Sequence, residues 1–98
     1  MDLTGLKASL TAASPPTDLS APLIALWWAA KGEWKTAHEV AQQHDDRPSA
    51  WVHAYLHRVE GDLSNAGYWY RRAHQPAATE SLESEWSAIA TALLASAD

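Results

Sequence analysis

Leu3, Leu6 and Leu10, with Ala13 continuing the face, fall three or four residues apart, the spacing of one side of an α-helix. They predict a short N-terminal helix over 3–13, weakened by Gly5. Ser14-Pro15-Pro16-Thr17-Asp18 then breaks the pattern and makes a stiff connection. Leu23–Ala30 is apolar all round, with Trp27 and Trp28 adjacent and so directed to different sides. A helix without a polar face is buried on several sides, as the centre of the monomer or in a contact between two copies. Ser20 can cap it, Pro22 suits its first turn, and Gly32-Glu33 ends it.

Trp34, Ala37, Val40, Ala41 and His44 form the stripe of the next helix, completing a hairpin over 21–44. Asp45-Asp46-Arg47-Pro48 is a turn, and the following helix runs to about Glu60. Asp62 caps its successor, on which Leu63, Ala66, Tyr70 and Ala73 share a face until Pro76; this second hairpin covers 49–75. Thr79 can cap a last helix over 79–97, with Glu80 and Glu83 placed well for the helix dipole. Its stripe is Leu82, Trp86, Ile89 and Leu93, with acid and Ser opposite, as a capping helix on a helical stack requires.

Composition agrees with this single all-α domain. Val, Ile and Thr are too sparse for a sheet, and six Trp and three Tyr face an abundance of Ala, the combination that fills gaps between closely packed helices. The absence of Cys excludes disulfides and thiolate metal sites and fits a cytoplasmic protein. Met1–Ala13 has no signal-peptide pattern, and the longest apolar run, Pro22–Ala30, is far short of a membrane span. Net charge is −5, with the acidic excess mainly in Glu80, Glu83, Glu85 and Asp98. No basic stripe exists, which argues against nucleic acid as a partner.

The two hairpins repeat each other. Gly32-Glu33 recurs twenty-nine residues on as Gly61-Asp62, Ala37 as Ala66, Ala25 as Ala54, and Trp34 falls on Leu63. Gly permits the tight turn and Ala the close crossing. In Gly61-Asp62, Ala66, Tyr70 and Ala73 the second copy resembles a tetratricopeptide repeat; the first copy matches through Gly32, Trp34 and Ala37. The period is shorter than that family's ~34 residues. The stretch Ala50–Ala73 also looks like a group of small bacterial proteins, a resemblance that brings no activity with it. The tetratricopeptide resemblance implies a stack of two helical hairpins with an N-terminal helix and a C-terminal capping helix, about five helices in all. It further implies a groove for a peptide or partner protein, lined by Trp51, Tyr55 and Arg58 with Leu26 and Ala29.

Two clusters carry candidate chemistry. His53 and His57 share one helix face, where paired imidazoles can chelate Zn or another divalent metal. A third ligand could be Glu60, or His38, Asp45 or Asp46. The competing reading makes both histidines hydrogen-bonded core residues, because the repeat aligns them with Ile24 and Trp28. Tyr68-Trp69-Tyr70-Arg71-Arg72 cannot all face inward; Tyr70 is the core choice, leaving Tyr68, Trp69 and Arg72 partly exposed or covering the loop. Asp62 and Asn65 read as capping residues. No HExxH, Ser-His-Asp or phosphate-binding glycine pattern occurs.

The leading expectation is therefore a non-enzymatic protein- or peptide-interaction module without a cofactor, with a homodimer through the Trp27-Trp28 region as an option. Its contact residues would be Trp51, His53, Tyr55, His57, Arg58, Tyr68, Trp69 and Arg72. The alternative is a small metal- or ligand-binding protein, enzymatic or not, centred on His53 and His57 with Glu60.

Overall fold

A computed structural model of the chain describes residues 1–96. Its elements are α1 (Leu3–Ala8) with a 3₁₀ turn at Ser9–Thr11, α2 (Ala21–Ala30), α3 (Trp34–Gln42), α4 (Arg47–Val59), α5 (Leu63–Ala73) and α6 (Leu82–Ala95). No strand occurs among the described residues. Two hairpins with a helix on either side make six α-helices among the described residues, one more than the expected count of about five. Among the described residues no helix is long and apolar enough to cross a membrane.

The hairpin turns follow from their glycines. Gly32 and Gly61 sit at φ +82° and +86°, in the left-handed region. That conformation lets the next two amides return to the helix: Gly32 N donates to Ala29 O and Glu33 N to Trp28 O, while Gly61 N donates to Arg58 O and Asp62 N to His57 O. Asp62 then caps α5, its Oδ1 accepting from Asn65 N at 3.1 Å. The same hydrogen-bond pattern therefore ends both α2 and α4.

Helix α2 is the centre of the molecule. Leu23, Ala25, Leu26 and Trp27 are buried, in one core with Leu6, Ala37, Val52, Leu56, Trp86 and Ile89. Trp27 is buried within the single chain, its indole N–H donating to Ser9 Oγ at 3.0 Å. Ser9 begins the 3₁₀ turn and donates in turn to Leu6 O, so the N-terminal helix tightens here instead of continuing to residue 13.

Three local expectations are corrected. The last helix starts at Leu82, not near Thr79, because Ser81 supplies the cap through Ser84 N; residue 97, its expected end, lies outside the described residues. Ser20 makes no side-chain capping bond. Leu63, expected on one face with Ala66, Tyr70 and Ala73, is 69% exposed, whereas those three are buried. Its counterpart Trp34 is covered by the following hairpin and donates to Leu56 O at 2.7 Å. Among the described residues no further hairpin after α5 covers Leu63.

Helix α6 decides the shape of the remainder. It packs on α4, α2 and α1, across the first helices of both hairpins. Trp86 donates its indole N–H to Leu26 O at 2.8 Å. Glu85, 2% exposed, is held by Arg58 Nη1 at 2.9 Å and by the Tyr70 hydroxyl. Arg58 also donates to Glu80 O in the connection before α6.

Candidate functional site

The side chains that converge most tightly are three histidines. His38 comes from α3, and His53 and His57 from successive turns of one face of α4. Because α3 packs along α4, one ring nitrogen of each lies within 4.8 Å of one from both others. His53 and His57 are 5% and 6% exposed, and His38 is half-buried, so the group meets solvent at His38.

Aromatic rings hold the imidazoles by their faces. Trp69 stacks on His53 with centroids 3.8 Å apart and planes 12° from parallel. Trp34 stacks on His38 at 4.8 Å and 10°. His53 and His57 lie 4.9 Å apart at 23°. Ring nitrogens sit in the ring plane, so face stacking fixes orientation and leaves the nitrogen lone pairs available. Only His57 has a hydrogen-bonded ring nitrogen among the described residues: its Nδ1 donates to Glu60 Oε1 at 2.5 Å. A carboxylate on one imidazole nitrogen fixes the tautomer and makes the other, Nε2, the free electron pair.

The electrostatics favour the neutral form of His53 and His38. Burial, with smaller contributions from His38 and His57, pushes the His53 pKa down to about 4. Burial and then His57 lower that of His38, opposed by Glu60 and Glu39. Neutral imidazole is the form that binds a metal.

The geometry sorts the earlier third-ligand candidates. His38 joins the pair. Glu60 is hydrogen-bonded to His57, and with His57 and Asp62 it forms a second, more exposed group of possible donors. Asp46 caps α4 through Ser49 N, and Asp45 pairs with Arg72 Nη2 at 2.7 Å. A tetrahedral Zn²⁺ with bonds of about 2.0–2.1 Å holds its nitrogens roughly 3.3 Å apart. Small rotations of side chains already facing one another would close the trio to that size, so these residues fit such an ion.

The other expected contact residues lie in two places. Tyr55 and Arg58 face α6, as does half-buried Trp51 at its far end. Arg58 is spent on Glu85 and Glu80, while Tyr55 borders a cleft of about 480 Å³ with Lys7, Leu10, Ala29 and Trp86. Burial, then the charge of Glu85, pushes the Tyr55 hydroxyl up to about 12. Tyr68 and Arg72 stand outside, with Arg72 over the rings of Tyr68 and Trp69. Trp69 therefore touches both this surface and the histidines.

Trp34 belongs to the site although the sequence reading places it only in a core stripe. Its spacing to His38, one helical turn, is the signal that it could stack there. No protein-family model, curated protein or solved structure gives a significant match to this chain.

Proposed function

We propose that this protein binds a divalent transition metal, with Zn²⁺ as the reference ion, through His38, His53 and His57. The observation that carries the reading is the convergence of three imidazoles from two helices within 4.8 Å, with buried His53 free of any hydrogen bond among the described residues. A metal would supply one shared partner for a ring nitrogen of each of the three residues. Glu60 orients His57, and Trp34 and Trp69 hold the other two rings. The imidazole set suits Zn²⁺, Cu²⁺, Ni²⁺ or Co²⁺ better than Ca²⁺ or Mg²⁺.

Zinc analysis of dialysed full-length protein tests the proposal. One Zn²⁺ per chain is expected, lost in His38→Ala and in His53→Ala, with circular dichroism showing that each variant stays folded. Full retention of zinc by folded His38→Ala would eliminate the three-histidine site.

A second reading keeps the interaction role and the tetratricopeptide-like stack, supported by the paired turns at Gly32 and Gly61. It places protein or peptide contact on the outer side of α5, where Tyr68 and Leu63 are 45% and 69% exposed beside Arg72. The expected groove is less available, because α6 covers much of Leu26, Tyr55 and Arg58. Cross-linking of the pure protein tests the self-association form of this reading. Loss of a cross-linked dimer in Tyr68→Ala would support it, and an exclusively monomeric sedimentation profile would remove it.

A further inference from the structure

Resting on the metal reading above, we infer that the His38–His53–His57 centre holds its ion with one coordination position reserved for an exogenous ligand. The occupant is water at rest, exchangeable for a small monodentate anion. Two observations lead there: the donor count and the charge.

A four-coordinate ion needs one donor beyond three imidazoles. Among the described residues no fourth His, Asp or Glu offers an atom within 4.8 Å of all three. The sequence contains no Cys to complete a closed structural site. Glu60, the nearest acid to His57, has its Oε1 engaged with His57 Nδ1. That contact makes Glu60 an orienting group for His57. Sites with three protein donors plus water characterise metals that polarise or exchange ligands, whereas structural zinc is enclosed by four protein donors.

Charge then selects the ligand class. Three neutral imidazoles leave both positive charges of the ion without a charged donor in its coordination shell, Glu60 offsetting them only through His57, so an anion gains Coulomb energy that a neutral donor lacks. The two buried histidines and the stacked indoles of Trp34 and Trp69 surround the ion with low-polarity groups, which strengthens that attraction. Half-buried His38 is where the centre borders solvent, giving a small ligand its approach. Large ligands are disfavoured by the two indoles flanking the rings.

Co²⁺-loaded full-length protein, titrated with sodium azide, supplies the test. Azide should shift the visible d–d bands of bound Co²⁺ saturably, with one azide per metal and no metal release. Unchanged bands in a protein that binds one Co²⁺ would overturn the exchangeable position while leaving the three-histidine centre intact. Glu60→Gln gives an independent arm: if azide shifts the bands only in this variant, Glu60 is the fourth ligand and the inference fails. Absence of Co²⁺ binding altogether would overturn the metal reading itself, and this inference with it.

Discussion

The indole of Trp69 lies flat on the imidazole of His53, 3.8 Å between ring centroids and 12° from parallel. Trp69 is on α5 and His53 on α4, so the second hairpin's crossing sets the orientation of a histidine that faces the first hairpin. The outer aromatic surface and the histidine cluster thereby share one indole, with Arg72 also over the Trp69 ring.

Removing that support should loosen the site without emptying the core. Trp69→Ala is expected to weaken Zn²⁺ binding by about tenfold, within the range for outer groups that orient metal ligands. Competition titration against a chelating dye reads this directly. Wild-type affinity in a folded Trp69→Ala protein would show that the stack does not position His53.

Acid should destabilise the metal-free protein through His53. Its folded pKa of about 4 lies below the ordinary 6.5, because burial disfavours the imidazolium. The unfolded chain therefore binds more protons between these values, so this contribution is complete above 6.5 and is lost as pH falls toward 4. The groups facing it are His38, His57 and the apolar ring of Trp69. Urea midpoints across that range should fall more steeply for the wild type than for His53→Gln. Equal slopes would remove His53 as the cause.

The attachment of α6 depends on a buried charge. Glu85→Ala leaves Arg58, a mostly buried guanidinium, without its carboxylate and should cost about 3–5 kcal/mol. Arg58→Met combined with Glu85→Leu should recover part of that loss, since breaking such a pair costs more than replacing it with apolar groups, while the Tyr70 hydroxyl still lacks its Glu85 acceptor. Denaturant unfolding of the three proteins separates uncompensated charge from lost packing. A double variant no more stable than Glu85→Ala would favour packing.

Gly61 is required for its backbone and not for space. At φ +86° an added Cβ meets nothing within 4 Å, so Gly61→Ala should cost about 1–2 kcal/mol through conformation alone. Gly61→Asn should lose less, because Asn tolerates the left-handed region better. Thermal unfolding measures both, and an unaffected Ala variant would mean that the turn can re-form with another geometry.

Much of the fold is legible in local spacing. Gly-acid turns and the Asp62 cap act within a few residues of themselves, where helix geometry decides the outcome. The same holds for half of the candidate site: four residues along one helix bring His53 and His57 onto a common face. The sequence also places His38 among the possible third ligands, but gives it no preference over Glu60, Asp45 or Asp46. Choosing between them requires the distance between α3 and α4, which no periodicity along either helix contains.

By itself, then, the sequence determined that the chain is helical and where its two hairpins turn back, at Gly32 and Gly61, since these depend on contacts between near neighbours. Only the tertiary structure decided that α6 lies across α2 and α4, that Arg58 meets Glu85 twenty-seven positions away, and that Leu63 stays outside. It also decided that His38 faces the α4 pair while Trp34 and Trp69 take the ring faces. The physical reason is shared by all of these: each is fixed by how apolar faces from separate helices bury one another, and several pairings compatible with the same stripes differ only in that packing.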